Sequence, residues 1–138
     1  MNKVVLAADC ACLCTEAKAY ALGGVDVEVV YVTDPKPESF NFLKDNNVKA
    51  KHHFRCMREA TSKGKGLCME HLKPCVVPGR ATGIQITDKS AGVSCRGFST
   101  SNMHRLTLGA EQHEDSDLML FWVQGVKQEE PDEATVEK

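Results

Sequence analysis

The sequence predicts an α/β fold, and three stretches carry that expectation. "KVVLAA" at 3–8 is a short apolar run with the β-branched character of a buried strand. "TEAKAYAL" from Thr15 is rich in helix formers and is stopped by Gly23-Gly24. "VDVEVVYVT" at 25–33 alternates and then turns apolar, as a strand with a buried centre does. Strand, helix and strand joined by short connections imply a parallel pair with a right-handed crossover.

The later elements follow in order. "DPKP" is a turn, and "PESFNFLKDNNV" is expected to be helical. Pro37 suits the first helical position, Glu38 the positive dipole end, and Asn46-Asn47 the stop. Residues 49–75 break this rhythm and are expected to be an insertion, mostly loop with one or two short helices. "CVVPGRATGIQIT" and "AGVSCRGF", separated by the turn-like "DKS", read as an antiparallel hairpin with Ile84 and Ile86 facing the core. "STSNMHRLTL" opens a helix with Ser99 as N-cap. "DSDLMLFWVQGV" is a last helix, anchored by Phe121 and Trp122. Residues 1–127 thus form one domain, and the acidic tail 128–138 is expected to lack structure.

Composition narrows the function classes. The 138 residues are 42% hydrophobic and 26% charged, as in ordinary globular proteins. A formal net charge of -2 creates no global demand for nucleic acid or an anionic membrane. The charge is uneven, however. Lys49, Lys51, Arg55, Arg58, Lys63, Lys65 and Lys73 crowd the insertion, while the chain from Glu111 onward is acidic. No apolar run approaches the roughly 20 residues that span a bilayer. The start lacks a secretory pattern, so a cytoplasmic protein is expected. There, seven cysteines favour catalytic, redox or metal roles over a disulfide framework.

Four stretches carry a resemblance: "KVVLAADCACLCTEAKAYAL", "GVDVEVVYVTDP", "VVP" at 76–78 and "CRGFSTSNMHRL" at 95–106. Taken in order, the set resembles the glutaredoxin family. The resemblance implies a thioredoxin-like fold, a three-layer βαβα-ββα arrangement around a mixed four-stranded sheet. The insertion then precedes a cis peptide at Pro78, and an extra helix follows at the C-terminal end. It further implies thiol–disulfide oxidoreductase activity, with a disulfide-containing protein or a glutathione mixed disulfide as partner and glutathione as co-substrate. Val77, Pro78, Arg96, Gly97, Ser99 and Thr100 match the substrate-binding positions. The chain departs from the family where Ala11 takes the place of the first cysteine, Arg96 that of a glycine, and Ser99-Thr100 that of an acidic pair.

The chemistry of "CACLC" can be weighed by itself. A thiolate is the nucleophile, and free N–H groups at a helix start favour it. Cys12 and Cys14 sit at that junction, whereas Asp9 beside Cys10 raises the Cys10 pKa. Cys12 is therefore the better nucleophile and Cys14 the resolving thiol. Cys10 with Cys14 is the competing pair, and three small apolar fillers around a turn are the plain alternative.

The insertion offers a second chemistry. "HHFRC" and "LCMEHLKPC" place His53-x2-Cys56 before Cys68-x2-His71-x3-Cys75. Cys56, Cys68, His71 and Cys75 are the expected ligands of a tetrahedral zinc. Cys75, three residues before Pro78, is alternatively an extra resolving thiol. Two function classes stand: the oxidoreductase, and a non-catalytic, zinc-stabilised binding protein that docks on a partner through its basic insertion.

Overall fold

A computed structural model describes residues 3–11, 14–92 and 116–136. The first half keeps the expected alternation: β1 (Val4–Asp9), α1 (Thr15–Leu22), β2 (Val27–Thr33) and α2 (Pro37–Asp45). Pro37 opens α2, and the Asn46 side chain caps its end by donating to the Phe42 carbonyl at 2.9 Å. Beyond α2 the chain forms β3 (Ala50–Phe54), α3 (Met57–Lys63), β4 (Lys65–Cys68), β5 (Lys73–Val76), a 3-10 turn at Arg80–Thr82, β6 (Asp88–Ala91), α4 (Ser116–Glu129) and β7 (Glu133–Val136).

These strands make one mixed sheet in the order β5-β4-β3-β2-β1-β6-β7. β3, β2, β1, β6 and β7 run parallel, while β4 and β5 add an antiparallel hairpin beyond β3. The chain grows outward from β1 in one direction to β3 and later in the other to β7, so the switch point lies between β1 and β6.

Both faces of the sheet are covered. Ala17 of α1 and Leu43 of α2 pack with Leu6, Ala8, Val29 and Val32. On the opposite face, Ala60 of α3 packs with Ala7, Val30, Tyr31, Phe54 and Ile86. Met57 of α3 meets Trp122 of α4 and Ala91. A register shift between Leu6 and Ala7 leaves Val30 without a partner on β1. Val30 and Tyr31 consequently face the same side, and the strand resumes its alternation from Tyr31.

The α/β class and the helices on both faces are as expected; five features differ. Among the described residues the sheet has seven strands rather than four. "DKSA" is not a turn but strand β6, fully buried between β1 and β7; most of the second strand of the expected hairpin, from residue 93 on, lies outside the described residues. Its backbone is needed by two neighbours at once, which outweighs the local turn preference of Asp, Lys and Ser. The insertion 49–75 is not mostly loop: β3, α3, β4 and β5 occupy it. The tail is not structureless, because α4 runs to Glu129 and residues 133–136 pair with β6. A parallel edge strand needs only backbone groups, and an acidic composition does not forbid it. Among the described residues no peptide bond is cis, so Val77-Pro78 is trans.

Candidate metal centre

The antiparallel extension gathers the ligands. Phe54 of β3 pairs with Cys68, and Gly66 of β4 pairs with Cys75 of β5. Residues two apart on a strand share a face, so Cys68 and Cys75 point to the same side as Phe54 and His52. Gly66 keeps that side open; a Cβ there would come 3.4 Å from the Phe54 ring. Beyond Cys68 the chain turns back through Met69–Leu72, with the Met69 N–H bonded to the His53 carbonyl at 2.7 Å. Leu72 takes the left-handed conformation at φ 55°, which reverses the chain directly after His71.

One ligand atom from each of His52, Cys68, His71 and Cys75 lies within 4.8 Å of all the others. Cys68 Sγ is 3.3 Å from His71 Nδ1 and 3.7 Å from His52 Nδ1. Cys75 Sγ is 3.7 Å from His71 Nδ1. With Zn–S near 2.3 Å and Zn–N near 2.05 Å, a tetrahedron has S···N edges of about 3.6 Å. The observed contacts bracket that value. Cys68 is fully buried, Cys75 and His52 are half-buried, and His71 is exposed, so the cluster is closed on the sheet side and open at the turn.

The surroundings suit a cation. The His52 ring stacks on Phe54 at 5.7 Å and lies 4.9 Å from the His71 ring. Burial, then the neighbouring His71 and Lys51, lowers the His52 pKa, which favours the neutral imidazole that metals bind. Burial and the adjacent Cys68 raise the Cys75 pKa; two thiols in contact resist ionising together unless a cation compensates.

Three of the four ligands expected from the sequence therefore meet: Cys68, His71 and Cys75. Cys56 does not join them. It is exposed and caps α3, its sulfur accepting the Glu59 N–H at 3.4 Å. His52 takes its place. The signal was present in "HHF": in a strand the two histidines face opposite sides, and only one can join a site on the Phe54 face. His53 points the other way, against the Phe40 ring at 4.9 Å.

The cysteine-rich turn is arranged differently from expectation. Cys10 packs against the Met57–Trp122 group, whereas Cys14 lies in the core under α1, on the opposite side of the sheet. Burial, with Asp9 and Asp34 adding, pushes Cys10 up to about 12. Burial followed by Glu16 pushes Cys14 up to about 12, overriding the helix-start N–H of Ala17. Pro78 is buried, and the Val77 N–H donates to the Gly64 carbonyl at 2.9 Å. Cys12, Arg96, Gly97, Ser99 and Thr100 lie outside the described residues. The insertion's cations are partly engaged at home: Lys51 pairs with Glu28, and Lys63 with Glu59 at 3.3 Å.

No protein-family model matches the sequence, and no curated protein matches it either. No helix among the described residues is long and apolar enough to cross a membrane.

Proposed function

We propose that the chain is a zinc-binding α/β protein in which a Cys2His2 centre fastens the β4–β5 hairpin to the parallel sheet. The observation that carries this reading is the convergence of His52, Cys68, His71 and Cys75 within 4.8 Å. Thiolate and imidazole ligands together suit zinc better than magnesium or calcium, which take oxygen. Four protein ligands fill a tetrahedron and leave no position for substrate, so the role is structural.

A metal also answers a folding problem. The hairpin spans short strands with Lys65, Lys73 and Pro74 exposed and with Leu67, Leu72 and Val76 turned to solvent. It buries little apolar surface of its own, and an isolated hairpin is marginal in water. Ligand binding converts directly into folding energy there.

Thiol–disulfide chemistry at Cys10 and Cys14 receives less support, because thiols held near 12 are almost wholly protonated at neutral pH. The zinc reading is tested by metal analysis of protein purified without chelator. One equivalent of zinc is expected, and cobalt substitution should give the intense visible bands of tetrahedral sulfur ligation. Less than about a tenth of an equivalent, with no cobalt spectrum, would sink it.

A further inference from the structure

A second polar cluster sits away from the metal ligands, at the switch point of the sheet. Lys89 of β6 is 2% exposed and Asp9 of β1 is 3% exposed. Lys89 Nζ donates to the Tyr31 hydroxyl at 2.6 Å and lies 3.3 Å from Asp9 Oδ2. Asp9 Oδ1 accepts from the Thr33 hydroxyl at 3.0 Å, and that oxygen in turn accepts the Cys10 N–H at 3.0 Å. The irregularity in β2 is what brings Tyr31 and Thr33 to the side of Asp9.

This cluster does not serve stability alone. A buried ion pair is on balance no better than well-packed apolar residues, and the core on this face of the sheet includes the apolar Ala7, Val30, Phe54 and Ile86. The pair also borders unfilled space: a cavity of ≈ 270 Å³ between the sheet, α3, α4 and the Val76–Ala81 segment. Gly125 in the middle of α4 keeps room over the ammonium, since a Cβ would stand 3.3 Å from Nζ. Glycine is a poor helix former, and its missing Cβ here is what lets the end of the Lys89 side chain lie against α4 at the edge of the cavity.

The lining selects the ligand class. Lys89 is the one cation among the described lining residues, and Asp9 and Glu129 are its two carboxylates. An anion would meet a net negative wall, so a phosphate or carboxylate is disfavoured. A neutral carbonyl compound suits the chemistry of the lining, because it would face an amine with a carboxylate beside it to take its proton.

We propose that this cavity binds a small aldehyde or ketone and that Lys89 forms an imine with it. Asp9 accepts a proton from the Lys89 ammonium. The freed amine adds to the carbonyl carbon, and a C–N bond forms. Tyr31, which accepts from Nζ, has its own proton free to support the carbonyl oxygen. That oxygen gathers two protons and leaves as water. One ammonium and one carbonyl thus give one protonated imine and one water, with no oxidant or reductant.

The test uses the full chain with glycolaldehyde as probe and cyanoborohydride to trap the adduct, read by peptide mass mapping. Lys89 should be modified about tenfold faster than the exposed Lys18 and Lys36, because the cavity holds probe and amine together. Ala81→Leu, which fills the cavity from its exposed rim without touching the ion pair, should remove that advantage while circular dichroism and melting are retained. Modification of Lys89 no faster than Lys18 and Lys36 overturns the proposal, as does undiminished labelling in Ala81→Leu.

Discussion

Cys68 Sγ lies 3.3 Å from His71 Nδ1, across the turn that joins β4 to β5. A side chain at the buried end of one strand thus touches one at an exposed turn, and the backbone must bend sharply to allow it. Leu72 supplies that bend at φ 55°. The contact and the bend belong to one device that aims His71 back at the sheet.

The two ligand sets can be separated by substitution. His52→Ala and Cys68→Ser should each lose zinc to below about a tenth of an equivalent, whereas Cys56→Ser should keep the full complement. Cys56→Ser changes only a cap on α3, within about 1 kcal/mol of wild type. Metal analysis of the three variants beside wild type decides it. Retention by His52→Ala together with loss by Cys56→Ser would restore the ligand set expected from the sequence.

Removing the metal should weaken the whole domain. A ligand held a thousandfold above its Kd stabilises the folded state by about 4 kcal/mol. For a chain of this length that corresponds to a fall in Tm on the order of 10 °C after chelation. Differential scanning calorimetry with and without a chelator measures it. An unchanged Tm would show that no folded-state metal is being removed.

Leu72 is a strained position with little to lose. Its side chain is 79% exposed, so truncation sacrifices almost no burial. Left-handed backbone at such a residue costs about 1–3 kcal/mol, and the extra freedom of an unfolded glycine returns about 1 kcal/mol of that. Leu72→Gly should gain roughly 1 kcal/mol in urea unfolding with zinc retained. A loss of stability would place the side chain in a contact that outweighs the strain.

The buried thiols set an alkaline limit. Cys10 and Cys14 ionise near 9.0 when unfolded and at about 12 when folded. Because the folded value is raised, their contribution is fully present below pH 9 and disappears as pH rises toward 12. Each costs at most about 1.4 kcal/mol per pH unit in that window. Cys14→Ala should therefore lose less stability than wild type between pH 8 and 10.5. At pH 8 a thiol-specific reagent should label exposed Cys56 far ahead of both. Rapid labelling of Cys10 or Cys14 would revive the redox expectation.

Breaking the pair in the sheet should be worse than removing it. Lys89→Met leaves Asp9 charged and buried without its partner, at a cost of about 3–5 kcal/mol. Lys89→Met combined with Asp9→Leu should recover much of that loss. Equal destabilisation in the single and double variants would show that the ion pair itself is not the source.

Much of the first half was readable without a structure. Residues 4–45 follow strand and helix periods that act over a few neighbours, and Pro37 and Asn46 mark their helix by local geometry. The metal ligands were readable in type and nearly in position, since Cys68, His71 and Cys75 sit within eight residues. His52 was missed because its membership depends on which face of β3 looks toward β4. That face is a property of the sheet and not of the spacing along the chain.

The sequence by itself determined the α/β class, the alternation up to α2 and the presence of a soft-ligand cluster in the insertion. Each rests on contacts between residues close in the chain. Only the tertiary structure decided that "DKSA" is a central strand, that Cys10 and Cys14 point to opposite sides of the sheet, and that Lys89 meets Asp9 and Tyr31 over a cavity. Those outcomes are set by pairing between strands up to about eighty residues apart. There, two neighbours on the sheet outvote the local preference of three polar residues, and burial outvotes the helix-start field on a thiol.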